Sequence, residues 1–295
     1  EAFGAWHITG GIGKLGDALY QRCLDRGVTF EFNTRVCEIT HSNGRVTGIS
    51  LEDGRDISAT IVVANADAGI IYSKLIKSPP QSVRKAARAI SKMEPSLAGF
   101  SLLLGLRPSN EPKLEHHTVL FPENYDQEFE SIFSKKVPVD DPTIYICAPH
   151  DVTMVKKVGH EAWFVLVNAP RHGVDSFDWS DREFAEQYAQ KIIDRIEARG
   201  IQVRNRLELL EIRTPADLEA SVLAPGGSIY GTSSNGSQSA FNRAKNRSPL
   251  KGLYCVGGSA HPGGGLPLVG LSAEIVAQAI ISEDGGEQLS SLDRH

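Results

Sequence analysis

The stretch from Leu253 to Ile281 constrains the fold more than any other part of the chain. Leu253-Tyr254-Cys255-Val256 reads as a short apolar strand, Gly257 to Gly265 as a long glycine loop, and Leu266 to Ile281 as an apolar helix with Pro267 near its first position. A helix start offers unpaired backbone N–H groups and a partial positive charge, and glycines let a ligand come against the backbone. The N–H groups of Leu268 and Val269 are therefore expected to face a large flat cofactor. A tight glycine connection that binds nothing reads the same residues equally well.

Upstream, Leu15, Ala18, Leu19 and Cys23 recur at helical spacing up to Gly27, which predicts one amphipathic helix. Short β-branched runs follow, Val28 to Phe32, Arg35 to Thr40, Val46 to Leu51 and Ile57 to Ala64, punctuated by Asn43-Gly44 and Asp53-Gly54. Such punctuation predicts a small antiparallel meander ending in a buried strand. After Ser78-Pro79-Pro80 a basic helix, Gln81 to Met93, leads into strands at Gly99 to Leu106, His117 to Phe121, Thr143 to Ala148 and Ala162 to Asn168. Ser180 and Glu183 have capping-box spacing before a helix from Phe184 to Arg199, and Leu207 to Arg213 reads as a further strand. Ala216 to Val222 is a short helical turn, 226–236 is rich in Gly, Ser and Asn with Tyr230 and Phe241 nearby, and the tail 283–295 is polar and expected to be loose.

Composition removes several function classes. Lys plus Arg number 31 against 36 Asp plus Glu, a net charge of −5, and no basic stripe carries interleaved aromatics, so nucleic acid is not an expected partner. The four cysteines, Cys23, Cys37, Cys147 and Cys255, form no C-x-x-C pair, which fits reduced thiols and no zinc site. His116 and His117, as strand neighbours, should point to opposite sides, so no metal is expected there. His150, His160 and His172 fall in polar loops as solvated side chains. No apolar run approaches the ~20 residues of a spanning helix, and the chain opens at Glu1 as if mid-protein, so a fragment is expected. Gly10-Gly11-Ile12-Gly13-Lys14-Leu15 is not a phosphate loop, because Leu15 replaces the hydroxyl that would hold magnesium. No G-x-G-x-x-G follows a strand, and no Ser, His and Asp set marks a hydrolase.

Trp6 with Gly10 to Leu19, Asn33 to Val36 with Gly44 to Gly48, Val62 to Asp67, and Gly252 to Ala273 together resemble the phytoene desaturase, or carotenoid-desaturase-like, family of FAD-dependent oxidoreductases. His116 to Phe121 and Asp141 to Pro149 are similar to the bacterial members. The resemblance implies an α/β (α+β) fold in which a partial FAD-binding domain of amine-oxidase type is interleaved with a substrate domain of β-sheet plus helices. The implied division is 1–70 for part of the FAD domain, 71–225 for the substrate domain and 226–295 for the return to the FAD domain. It places the Val36 backbone against the adenine and Gly257, Gly258, Pro267, Leu268 and Val269 near the ribityl chain and flavin ring. It implies FAD as cofactor, held weakly or not at all by this chain alone, and a long apolar polyene as the partner that is desaturated. It also implies peripheral membrane contact and a cytoplasmic or plastid-like location. No catalytic base is named. The alternatives are a flavin oxidoreductase of another substrate, such as a retinoid saturase, amine oxidase or protoporphyrinogen oxidase, or a non-catalytic lipid- or partner-binding module.

Overall fold

The computed structural model describes Gly4, residues 6–173, 175–229, 231–233 and 243–292, the side chains of 284–292 excepted. In chain order the elements are α1 (Gly13–Asp25), β1 (Val36–Ser42), β2 (Arg45–Leu51), β3 (Asp56–Ser58), β4 (Val62–Ala64), α2 (Ala68–Ile70), α3 (Gln81–Ser91), β5 (Ala98–Leu106) and β6 (His117–Leu120). Then come α4 (Asp126–Phe129), β7 (Ile144–Cys147), β8 (Glu161–Ala169), α5 (Arg182–Ala198), β9 (Leu207–Arg213), α6 (Pro215–Val222), β10 (Leu253–Cys255) and α7 (Leu266–Leu292). Wide π-type turns extend α2 over Ile71–Leu75 and α4 over Glu130–Lys135.

The chain divides into two compact units, one of residues 1–32 and 99–215 and one of residues 33–98 and 216–295. These are not the boundaries drawn from the sequence. The segment after position 70 stays in the second unit because Ile71, Tyr72, Ile76 and Val83 share one core with Leu253 and Cys255. The amino-terminal helix goes with the central sheet, where Asp151 accepts a 2.6 Å hydrogen bond from the Gly10 backbone.

In the first unit a five-stranded sheet runs in the order β6-β7-β8-β5-β9. Alternation along β5 buries Phe100, Leu102, Leu104 and Leu106, and along β8 it buries Trp163, Val165 and Val167. Against this face α5 sets Tyr188, Ile192, Ile193 and Ile196, and the Tyr188 ring meets Phe100 edge-on at 5.0 Å. The helix is capped by Asp181, whose carboxylate accepts from Phe184 N, while Ser180 bonds Asp178 instead. The cap thus sits one residue later than the capping-box reading placed it. The run 28–32 forms no strand: Phe30 and Phe32 stack on each other at 5.8 Å and pack on Tyr20, so the segment serves α1 rather than a sheet.

The second unit opens on the meander β1-β2-β3. Its first turn has Asn43 at φ 50° and Gly44 at φ 77°, the paired positive φ of a two-residue hairpin loop. The expected single strand over 57–64 is two, because β3 pairs antiparallel with β2 whereas β4 pairs parallel with β10. The chain changes sheets between them. Ile39 and Val46 of the meander close over Leu253, Cys255 and Ala260 in one core.

The helix after the glycine loop runs to Leu292, through most of the tail expected to be loose, and residues 293–295 lie outside the described ones. It also corrects the reading that no apolar stretch approaches spanning length. Leu266–Glu283 is an 18-residue window of mean hydropathy 1.4, apolar on average although Gly270, Ser272, Glu274 and Gln278 interrupt it. That window is fastened to the unit within and at its end: Ser272 accepts from the Gly257 backbone, and Glu283 accepts from the Tyr254 hydroxyl and pairs with Arg247.

Candidate cofactor site

The strand, glycine loop and helix expected over 253–281 are all present, as β10, a turn through 257–265, and α7. The turn is shaped from beneath by three polar side chains that sequence reasoning missed. Asn246 Nδ2 lies 3.1 Å from Cys255 O, 2.9 Å from His261 O and 3.0 Å from Ser272 Oγ, so it ties both limbs of the turn to α7. Ser272, fully buried at 0%, accepts from Gly257 N at 3.3 Å. Arg243 donates to Gly258 O at 3.1 Å, and burial lowers the tendency of its guanidinium to stay charged. Only the 15- and 26-residue separations of Asn246 from its partners hid this network.

Gly257 must be glycine. Its φ is +97°, and a Cβ would lie 2.0 Å from Asn65 Oδ1 at the end of β4. Gly263 is likewise crowded, since a Cβ there would lie 2.9 Å from Arg243 Nε, whereas one on Gly258 would make only an ordinary 3.6 Å contact with Gly264 and one on Gly265, itself at φ +97°, would meet nothing within 4 Å. Bare backbone faces open space at Gly265 and room for a methyl at Gly258, which is the kind of cradle a flat ligand fills. Leu268 stands exposed in the first turn of α7, giving that space an apolar edge.

The expected pair of N–H donors needs one correction. Val269 N donates to Gly265 O at 2.9 Å, the first hydrogen bond of the helix, and is not directed at a ligand. Pro267 has no N–H, so the first turn offers the N–H groups of Leu266 and Leu268. Gly257, Gly258, Pro267, Leu268 and Val269 are thus brought together on one turn and helix start. Val36 is elsewhere in the unit, opening β1 opposite Leu51. Nearby, Asp67 caps α2 by accepting from Gly69 N, and burial holds its carboxyl above the usual range. Ser259 accepts from Ala68 N at 3.2 Å, a structural bond rather than part of a hydrolase set. Tyr230 and Phe241 lie outside the described residues.

Residues 2–144 match the model of the flavin containing amine oxidoreductase family. The chain is 34% identical over 284 residues to the 1-hydroxycarotenoid 3,4-desaturase of Flavobacterium sp. (strain P99-3), covering 94% of this chain and 55% of that protein. It is 32% identical over 280 residues, with the same shares covered, to the 4,4'-diaponeurosporene oxygenase of Staphylococcus aureus (strain bovine RF122 / ET3-1). The chain is carotenoid-desaturase-like. Its α/β (α+β) fold is shared with the crystal structure of an oxidoreductase from Methanosarcina mazei, at a TM-score of 0.62 and 16% identity over 92% of this chain and 55% of that one. The desaturase-like chain spans about half the length of the curated relatives it matches.

In the first unit, the turn that was not read as a phosphate loop already faces an anion of the protein's own. Asp151 accepts from Gly10 N at 2.6 Å and contacts His7 Nε2 at 2.9 Å. Its bonds to the Thr153 hydroxyl, Gly10 N and His7 hold its carboxyl far below the ordinary range. Glu128, fully buried, accepts from the Thr143 backbone and hydroxyl and from Asn168 Nδ2, and so fastens α4 to the ends of β7 and β8. His160 contacts Glu208 at 3.3 Å, His150 contacts Leu114 O at 2.8 Å, and His172 accepts from Trp179 N, so the loop histidines have protein partners.

His116 and His117 do not point to opposite sides. His116 stands in a bend before β6, where strand alternation does not apply, and the two rings lie 4.5 Å apart at 35°. Burial, then the neighbouring His117, His7 and His150, lower the pKa of His116.

Proposed function

We propose that the protein acts as an FAD-dependent oxidoreductase that removes hydrogen from a long carotenoid-like polyene. The observation that carries the reading is the glycine turn before α7, buttressed by Asn246 and Ser272 and left bare at Gly258 and Gly265. Two-electron oxidation is the chemistry a bound flavin supplies. This chain's part is to present the backbone of 257–265 and the first turn of α7 along one flank of the cofactor, without side chains that would hold it away. The curated relatives, named as a carotenoid desaturase and a diaponeurosporene oxygenase, support a polyene substrate.

The sheet of the first unit offers an apolar surface for such a ligand. On the face opposite α5, Val119, Phe164 and Leu209 are exposed. The loop at 152–158 fits contact with a membrane that stores the substrate: Val152 is 82% and Val158 99% exposed, and Lys156 and Lys157 lie between them. Apolar tips beside lysines suit the bilayer interface, with the charges at the headgroups. The location proposed with this reading is peripheral to a membrane, cytoplasmic or plastid-like.

The test is an FAD absorbance and fluorescence titration of the protein mixed with the half of a curated relative that it does not match. Saturable binding by the mixture, weakened at least tenfold by Gly258→Ala, is expected, because that methyl clears the protein but occupies the cradle. Absence of flavin binding, or binding indifferent to Gly258→Ala and Leu268→Asp alike, would overturn the assignment.

A further inference from the structure

We infer that His116, His117 and Cys147 form a binding site for a divalent first-row transition ion of the zinc type. One ligand atom from each residue lies within 4.8 Å of the others. The register of the sheet produces this. His117 stands directly opposite Cys147 in the antiparallel β6–β7 pair, so their side chains leave the sheet on one face. His116 is fixed just before the strand by its carbonyl, which accepts from Ala148 N at 2.9 Å, and its ring lies against that of His117.

Tetrahedral zinc with N and S bonds of about 2.0–2.3 Å sets its ligand atoms about 3.3–3.7 Å apart. From 4.8 Å, side-chain rotations that move an atom by about 1 Å close the site. A second observation points the same way. His117 Nδ1 lies 2.8 Å from the Tyr145 hydroxyl, the kind of outer hydrogen bond that orients a ligating imidazole and leaves its other nitrogen for an ion. Cys147 forms no disulfide and is half-buried, and its thiol is in hydrogen-bond contact with the same Tyr145 side chain. Two imidazoles and a thiolate select zinc and its neighbours over magnesium or calcium. Three protein ligands leave the fourth position to water or another donor.

The site lies on the edge of the sheet, since β6 is its terminal strand. A bound ion would join that strand and the bend before it to β7, so it should stabilise the sheet where a strand has one neighbour.

The experiment is a Co²⁺ titration of the chelator-treated protein under anaerobic conditions, followed by displacement with Zn²⁺. A saturable spectrum with tetrahedral ligand-field bands and a near-ultraviolet sulfur-to-cobalt charge-transfer band is expected. Cys147→Ser should lose the charge-transfer band and His117→Ala should weaken binding more than tenfold, each with an unchanged circular dichroism spectrum. Tyr145→Phe should lower zinc affinity about tenfold while leaving the charge-transfer band in place. No saturable Co²⁺ uptake by the unmodified protein would overturn the site, as would a spectrum unaltered by Cys147→Ser. An octahedral spectrum without charge transfer would also overturn it, by showing surface histidines alone.

Discussion

Two helices of the first unit carry the same sequence signal and meet different fates. Both α1 and α5 repeat apolar residues at three- and four-residue steps, yet α5 buries Ala185, Tyr188, Ala189, Ile192, Ile193 and Ile196 whereas α1 buries none of its residues. Leu19, in the middle of the α1 stripe, is 59% exposed, and Leu15, Tyr20 and Leu24 are exposed with it. Their starts differ as well, since Asp181 caps α5 through its side chain and Ile12 makes no such bond for α1. Periodicity therefore reports that a helix has a face to cover. It does not report what covers it.

The contrast can be broken most directly at Ile193. Ile193→Ala removes a fully buried side chain facing the sheet, and unfolding by denaturant should show a loss of about 2–5 kcal/mol. A loss below about 1 kcal/mol would mean that α5 is not the anchored helix described.

A smaller effect is expected at Tyr188, whose hydroxyl donates to Val139 O at 2.9 Å. Burial, reinforced by the charges of Glu128 and Asp140, pushes its pKa well above the usual value. The folded state therefore holds this proton more tightly than the unfolded chain. The resulting stability is fully present below about pH 10 and is lost as pH rises further. Tyr188→Phe should cost about 1 kcal/mol at neutral pH and flatten the alkaline decline of the melting temperature. An alkaline decline as steep as before would place the titrating group elsewhere.

The smallest effect belongs to α1, where Leu19→Ala should change the stability of the protein by less than about 0.5 kcal/mol. A cost comparable with that of Ile193→Ala would erase the comparison.

What could be read from the sequence follows this division between local and distant causes. The Asn43-Gly44 hairpin, strand β9 and the presence of α3 and α5, though not their exact ends, rest on turn chemistry and periodicity within a few residues. The strand, glycine loop and helix of the candidate site were legible for the same reason. The split of 57–64 into two strands was not, because it depends on β10 arriving from nearly two hundred residues downstream. Nor were Asn246, Arg243 and Ser272, since a polar residue among polar residues announces a buried role only when its partners are known. The closeness of the two histidines was hidden for a narrower reason: the strand begins only at His117, so alternation does not govern His116.

The three-way grip of Asn246 on the turn carries a thermodynamic consequence. Glycine-rich backbone is the costliest to immobilise, because each residue surrenders the widest range of conformations when it is fixed. Here that loss is met during folding, by Asn246, Ser272 and Arg243, rather than at the moment a ligand arrives. Association with this flank should then carry little entropic penalty from the protein, and the contact energy made there is free to appear as affinity.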